Sequence, residues 1–247
     1  QGSAALAGLW GLGRLIVLFD KNQIQLSGPV AICDHTNYKT LFESMGWHVV
    51  EIDGHDHAAI AGALDAARAE TSRPSMIIGH TTIAKGASTM EGDCASHGAP
   101  FSDAEITATK KYLGLPEDKP FYLPDEVGQH FRARYPELSA ARKAWDKALE
   151  ARLASDATFE DLWRQAKRAP GNRTFAWPAF DPAKSVATRS AWGAALNALT
   201  DQFPLLVGGS ADLDPSNQTE KFRKATGVFG PENKLGRTLC FGVREFP

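Results

Sequence analysis

Polar side chains that could bind a divalent cation follow an uninterrupted apolar run near the start of the chain. Residues 15–19 are all apolar, which predicts a strand buried on both faces of a parallel sheet. Asp20, Lys21 and Asn22 come directly after this run, at the kind of sheet edge where open α/β proteins bind ligands. The Asn22 amide oxygen is a hard, neutral ligand of the type that Mg²⁺ accepts beside substrate phosphates. Because the same residue types also end strands and form turns, this stretch alone leaves both interpretations open.

Histidine, arginine and carboxylate side chains elsewhere could handle protons or anions. His97 lies in residues 82–100, a loop long enough to indicate a function, where it could serve as acid, base or phosphate ligand, or be simply solvated. Arg189 is predicted in the first turn of a helix, where the dipole disfavours a cation. A bound anion would explain a cation at this position. The alternative is that Arg189 is an ordinary exposed side chain. Ser216, in a turn after a proline, and Glu245, at the end of a predicted strand, are ambiguous by themselves.

The cysteines do not indicate a disulfide framework or a structural zinc site. Cys33, Cys94 and Cys240 are odd in number and scattered, which favours a reducing compartment and hence the cytoplasm. Cys33 with His35 and Cys94 with His97 could be assembled into a zinc site, but their spacings do not match a standard pattern. We therefore do not expect zinc.

The composition is that of an ordinary soluble globular protein. The chain has 247 residues, 43% hydrophobic and 23% charged, with a formal net charge of −2, which suits one large or two smaller domains. Near-neutral charge argues against a nucleic-acid partner, and no apolar run reaches the length of a membrane span. Because the chain starts at Gln1 rather than Met and stops directly after a predicted strand, we expect it to be a fragment.

The elements that must position these side chains alternate between strands and helices. Residues 47–52 and 75–83 are predicted strands, separated by an amphipathic helix over 57–70. This alternation predicts a parallel sheet, half of a doubly wound domain. A helical segment in residues 1–11, a short helix over 37–45 and a helix opened by a capping box of Ser102 and Glu105 complete the first part.

The second half begins with charged helices and returns to an α/β pattern. Prolines bracket predicted helices between residues 114 and 182, which we interpret as an exposed connector without chemistry. A helix over 185–203 follows, with Trp192 and Leu196 among its inward residues, and then strands over 204–207 and 238–243. The fold class predicted is therefore α/β, with two partial doubly wound domains joined by a helical connector.

Taken together, the order of these segments resembles transketolase, a thiamine diphosphate enzyme of the pentose phosphate pathway. The matching segments are collinear and cover nearly the whole chain: 12–22, 46–49 with 52–56, 97–100, 209–217 and 241–245. Ser-Ala-Asp-Leu-Asp-Pro-Ser-Asn at 210–217 is the most specific of them within thiamine enzymes. The resemblance implies that residues 1–114 are the C-terminal part of a diphosphate-binding domain, 115–182 the connector, and 183–247 the N-terminal part of a pyrimidine-binding domain.

The resemblance also implies a reaction. A two-carbon ketol unit moves from a ketose phosphate, such as xylulose 5-phosphate or sedoheptulose 7-phosphate, to an aldose phosphate, such as ribose 5-phosphate or glyceraldehyde 3-phosphate. A carbanion on the cofactor performs the chemistry while the protein orients it. The fragment alone is expected to be inactive and to act only within its full-length parent.

The first half would bind the diphosphate end of the cofactor. By resemblance, the Asn22 side chain and the Ile24 backbone carbonyl would ligate Mg²⁺ (or Ca²⁺ or Mn²⁺). Ile83 would pack near the thiazolium, and His97 would reach the diphosphate, the substrate and the reacting carbon.

The second half would complete the site, again by resemblance. Asp212 and Leu213 would contact the cofactor, and Glu245 would hydrogen-bond its aminopyrimidine ring, so that Glu245 and His97 are the catalytic residues. Arg189 and Ser216 would hold the phosphate of the sugar. In the family these sites lie between the two subunits of a homodimer.

Three residues depart from the family pattern. Lys21 stands where a second acidic residue is usual, and Cys94 and Cys240 stand at frequent histidine positions. The family's Gly-Asp-Gly metal motif and its aromatic pyrimidine pocket do not occur in these 247 residues. The alternatives are a related enzyme, dihydroxyacetone synthase or deoxyxylulose-phosphate synthase, or an inactive homologue that serves as a dimerisation partner.

Overall fold

The computed structural model describes residues 2–168 and 174–244 and divides the chain into two compact units, Gln1–Leu123 and Pro124–Pro247. The elements of the first unit are α1 (Gly2–Leu9), β1 (Ile16–Lys21), β2 (Ile24–Gln25), β3 (Gly28–Pro29), α2 (Tyr38–Ser44), β4 (His48–Asp53), α3 (His57–Ala69), β5 (Ser75–His80) and α4 (Asp103–Tyr112). Single 3₁₀ turns occur at Val30–Ile32 and Cys94–Ser96.

A three-stranded parallel sheet organises the first unit. β5 lies in the middle and pairs with β1 on one side and β4 on the other. The parallel direction of the strands is as the alternating pattern predicts, whereas their order follows only from the structure. The central strand is buried on both faces: Met76 and Ile78 pack on the layer that contains α1 and α2, while Ile77 packs on α3. These buried apolar contacts fix the strand ends from which the candidate site residues emerge.

β1 departs from the prediction of a strand buried on both faces. Its residues alternate in exposure, with Val17 and Phe19 packed into the core and Leu18 67% exposed. The reason is that α3 covers β4 and β5, whereas no element of the described residues covers the outer face of β1. The strand also continues through Asp20 and Lys21, so only Asn22 lies beyond its end.

The predicted capping box is half right. Ser102 Oγ accepts the backbone N–H of Glu105 at 3.2 Å and so caps α4 as expected. The Glu105 carboxylate does not close the box but accepts from Thr89, at 2.9 Å from the backbone N–H and 2.7 Å from the hydroxyl. Glu105 therefore joins α4 to the long loop after β5.

The second unit contains mostly helices. Its elements are α5 (Asp125–Ala133), α6 (Tyr135–Ser155), α7 (Ala157–Lys167), α8 (Thr188–Gln202), β6 (Gly208–Ser210), α9 (Asp214–Asn217), α10 (Glu220–Thr226) and β7 (Thr238–Cys240). The charged helices predicted in the connector, over 124–135, 138–154 and 158–168, are all present as α5, α6 and α7. Trp145 of α6 packs on Trp163 of α7, with ring centroids 6.4 Å apart.

Two details of the second unit differ from the sequence pattern. The strand predicted at 204–207 is wrong, because the parallel pair with β7 begins at Gly208. A Cβ at Gly209 would lie 1.7 Å from the Leu239 carbonyl oxygen, so only glycine permits this approach. Trp192, predicted to face inward, is 51% exposed, while Leu196 is buried as predicted. None of the helices described is long and apolar enough to cross a membrane.

Candidate functional site

A cavity of about 340 Å³ opens at the carboxyl end of β1. Asn22 and Ile24, the two candidate metal ligands, both line it, and so do Lys21 and Asp34. The edge of the sheet expected to bind a ligand therefore carries a concave site.

The chain just after β1 carries the two candidate metal ligands in one tight turn. Asn22 Oδ1 accepts the Ile24 N–H at 3.0 Å, which holds the amide in place while leaving its oxygen a second lone pair. The intervening Gln23 has a φ of 64°, which folds the chain into this tight turn. Because the Val30 N–H donates to the Gln23 carbonyl at 2.9 Å, the next pair, Ile24 and Pro29, is a non-hydrogen-bonded pair, in which the Ile24 carbonyl points away from β3.

Asp34 adds a fixed negative charge to the same cavity. Its carboxylate is hydrogen-bonded by Thr36, whose backbone N–H lies 2.8 Å away, and by the Tyr38 hydroxyl. These contacts, with Thr36 first, lower the pKa of Asp34 to about 2, and the pKa of Tyr38 is raised in return. An ionised carboxylate at neutral pH favours a cation in the cavity. No pattern in the sequence marks Asp34 as part of a site, since a single aspartate before a helix is not distinctive.

Ile83 lies in the turn that follows β5, the strand next to β1. Its carbonyl accepts the Gly92 N–H at 2.9 Å, which closes the first part of the loop. Within that part, Glu91 accepts from the Lys85 ammonium at 2.7 Å and the Gly86 N–H at 2.9 Å. The loop after β5 is therefore internally bonded rather than structureless, although Ile83 does not line the cavity.

His97 ends the 3₁₀ turn at Cys94–Ser96. Its backbone N–H donates to the Cys94 carbonyl at 3.0 Å, while its side chain is exposed and has no hydrogen-bond partner among residues 2–168 and 174–244. It does not line the cavity either. The imidazole is therefore accessible to a ligand.

The described residues contain no group of three or more His, Cys, Asp and Glu side chains that could hold a metal ion. Cys33 Sγ instead lies 3.4 Å from the Gln25 amide nitrogen and 3.5 Å from the Val30 carbonyl oxygen. A cation at the cavity would therefore depend on the Asn22 and Ile24 oxygens and on ligands from elsewhere.

In the second unit, Asp212, Leu213 and Ser216 lie on one short segment after β6. Ser210 Oγ organises this segment, accepting the Leu213 N–H at 3.0 Å and the Asn217 amide at 3.3 Å. Asp212 has a φ of 64°, and the Leu213 side chain is 53% exposed. The three side chains are thus exposed on a turn that the Ser210 hydroxyl and a backbone bond from the Asn217 N–H to the Leu213 carbonyl hold in place.

Arg189 lies in the first turn of α8, as predicted. Its side chain is exposed and makes no hydrogen bond or ion pair within the described part of the chain. A second cavity, of about 260 Å³, is lined by the neighbouring Ser190 and Pro215, although Arg189 and Ser216 themselves do not line it. The start of α8 and the turn at α9 are therefore adjacent. Glu245 lies outside the described residues.

The sequence matches a known family along most of its length. The model described as "Transketolase, thiamine diphosphate binding domain" matches residues 1–168. A transketolase from Geobacillus stearothermophilus is 40% identical over 251 residues, a stretch that covers 99% of this chain and 37% of that relative. The chain thus spans little more than a third of the length of the relatives it matches.

Solved structures give the same result. The crystal structure of a transketolase from Campylobacter jejuni superposes with a TM-score of 0.84 at 35% identity, over 99% of this chain and 36% of the other. A transketolase from Pichia stipitis, described as a complex with sedoheptulose 7-phosphate, superposes with a TM-score of 0.87 at 32% identity, over 99% of this chain and 37% of the other.

Proposed function

We propose, because this chain belongs to the transketolase family, that it forms part of a longer enzyme that transfers a two-carbon ketol unit. The donors would be ketose phosphates such as xylulose 5-phosphate or sedoheptulose 7-phosphate. The acceptors would be aldose phosphates such as ribose 5-phosphate or glyceraldehyde 3-phosphate, as in the pentose phosphate pathway. Its domains would be those expected from the sequence: a diphosphate-binding part over 1–114, a connector over 115–182 and a pyrimidine-binding part over 183–247.

The observation that carries this proposal is the cavity after β1, which Asn22, Ile24 and the ionised Asp34 line together; the Asn22 amide and the Ile24 carbonyl would supply two hard oxygens. Mg²⁺ prefers oxygen ligands in octahedral geometry and retains waters or substrate phosphates among them. Two protein oxygens next to a diphosphate fit that preference, with the remaining ligands supplied from outside these residues. Thiamine diphosphate, when bound, supplies the carbon nucleophile that accepts the two-carbon unit.

The residues of this chain would orient the cofactor and handle protons. Ile83 would contact the thiazolium side, and Asp212 and Leu213 the other part of the cofactor. The Glu245 carboxylate would hydrogen-bond the aminopyrimidine ring nitrogen and hold its proton. His97, whose imidazole is accessible, would donate hydrogen bonds to the diphosphate and to the substrate.

Arg189 and Ser216 would hold the phosphate of the sugar. A guanidinium is always charged and can grip a phosphate with two parallel hydrogen bonds. Both side chains are exposed and start from adjacent elements, which suits a phosphate bound at the surface of the unit. We further propose a cytoplasmic homodimer in which residues from both subunits complete each site.

The proposal is tested on the full-length protein with the variants Asn22→Ala and Asn22→Asp and, as a matched control in the adjacent β2–β3 hairpin, Ser27→Ala. Thiamine diphosphate binding should require Mg²⁺, and Asn22→Ala should raise the Mg²⁺ concentration needed. Asn22→Asp keeps both an oxygen ligand and the acceptor for the Ile24 N–H, so it should bind like the wild type and the control. Absence of cofactor binding would reject the proposed site. Binding without two-carbon transfer would favour the inactive homologue.

A further inference from the structure

The turn between β4 and α3 contacts the loop that carries Ile83. The Gly54 N–H donates to the His80 carbonyl at 2.8 Å, and a Cβ at Gly54 would lie 2.5 Å from the Thr81 methyl carbon. His55 then accepts the Thr82 N–H on its Nε2 atom at 2.8 Å. The turn thus packs against the loop at the point where the chain leaves β5.

The hydrogen bond defines the chemical state of the His55 ring. A ring nitrogen that accepts a backbone N–H carries no proton, so the hydrogen bond from Thr82 assigns the ring proton to Nδ1. The backbone of His55 is held as well, because Asp53 Oδ1 accepts the His55 N–H at 2.9 Å. His55 is therefore an oriented acceptor and not a free surface side chain.

Two consecutive loop residues are tied to the ends of two different strands. The Thr81 hydroxyl hydrogen-bonds to Asp20, at the end of β1, and the Thr82 N–H bonds to His55, just beyond β4. Ile83 is the next residue in the chain. These two bonds therefore constrain the position of Ile83 relative to the edge of the sheet, together with the bond between the Ile83 carbonyl and Gly92.

We propose that His55 is a positioning residue for the cofactor: by accepting the Thr82 N–H, it holds Ile83 where the cofactor contacts it. This inference rests on the proposed function, because it assigns Ile83 to the cofactor site. His55 itself is not expected to touch the cofactor.

The test uses the full-length protein with His55→Leu, His55→Gln and the control His57→Ala, which removes a nearby exposed imidazole that has no hydrogen bond within the described residues. Two quantities are measured: amide hydrogen exchange of residues 81–93 in the cofactor-free protein, and the thiamine diphosphate concentration that gives half-maximal activity. His55→Leu should speed exchange in this segment and raise the half-saturating concentration roughly 2- to 10-fold, the worth of one hydrogen bond. The kcat at saturating cofactor should change little.

His55→Gln should restore both quantities, since its amide oxygen can accept the same N–H, and His57→Ala should behave like the wild type. Unchanged exchange in His55→Leu would overturn the proposal, as would equal defects in the Leu and Gln variants. Faster exchange with unchanged half-saturation would show that the segment is held but not for the cofactor, which also overturns it. Because exchange is measured without cofactor or substrate, it gives its answer even if the protein proves to have no two-carbon transfer activity.

Discussion

Replacement of Arg189 by alanine should separate substrate binding from chemistry. The Arg189 side chain is exposed and has no partner within the described residues, so its removal leaves no buried group unpaired. The free energy of unfolding should therefore change by less than about 0.5 kcal/mol. The loss should appear in kcat/KM instead.

The size of that loss follows from the contact proposed. Hydrogen bonds to a charged group contribute about 1.5–3 kcal/mol, which predicts a decrease in kcat/KM for sugar phosphates of roughly 10- to 150-fold. A phosphate-free donor, hydroxypyruvate, with a phosphate-free acceptor should be little affected, since the two-carbon transfer occurs at the other end of the substrate.

The assay compares the two substrate pairs in the full-length protein, with Arg68→Ala as the control. Arg68 is also an exposed helical arginine, whose nearest carboxylate oxygen lies 3.8 Å away, and its removal should affect neither pair. Equal losses for both substrate pairs in Arg189→Ala would refute the assignment, and a clear drop in Tm would show that Arg189 is structural.

Four other perturbations test the site and the fold. Glu245→Gln should leave folding intact and reduce turnover roughly 10²- to 10⁴-fold; near-normal turnover at saturating cofactor would remove Glu245 from the mechanism. The 247 residues alone should bind thiamine diphosphate and Mg²⁺ weakly, because two oxygens are too few for octahedral ligation, and calorimetry that detects micromolar affinity would contradict this. Hydrogen bonds from Thr89, chiefly its backbone N–H, lower the pKa of Glu105 below its ordinary value of 4.5. Their contribution to stability is therefore present above pH 4.5 and lost as the pH falls through the lowered pKa. The protection of amides near Thr89, measured as the exchange rate relative to that of an unfolded peptide at the same pH, should fall in that range in the wild type, and the same fall in Glu105→Gln would disprove the link. Ile77→Ala, at a position only 1% exposed, should lower the free energy of unfolding by about 2–5 kcal/mol. A loss below about 1 kcal/mol would mean that neighbouring side chains move to fill the cavity left between β5 and α3.

Local patterns in the sequence predict the elements that depend on local forces. The helix predicted at 57–70 is found at His57–Ala69, capped by Asp56, whose carboxylate accepts two backbone N–H groups. Helical periodicity and a capping side chain are both properties of neighbouring residues. The end of the apolar run at residues 15–19 likewise marks Asn22, whereas Ile24 is assigned only by the family resemblance, because a backbone carbonyl leaves no mark on residue type.

Burial and tertiary contacts are less accessible from sequence. An apolar residue does not reveal which face of its element another element covers, which is why Leu18 and Trp192 were placed inside and are exposed. The start of β6 depends on the close approach of Gly209 to Leu239, across a large separation in the chain. The contact between His55 and Thr82 spans 27 residues, and no local pattern marks it.

The outer face of β1 affects how these 247 residues should behave when they are expressed alone. β1 pairs only with β5 among the described strands, so its other edge offers free backbone N–H and C=O groups. On the outer face of the same strand, the side chains of Ile16 and Leu18 are exposed. An apolar strand with an unpaired edge is a template for intermolecular pairing, and aggregation should increase with concentration. The substitution Leu18→Lys would place a charge on the outer face. It should improve solubility without disturbing Val17 and Phe19, which pack into the core on the other face.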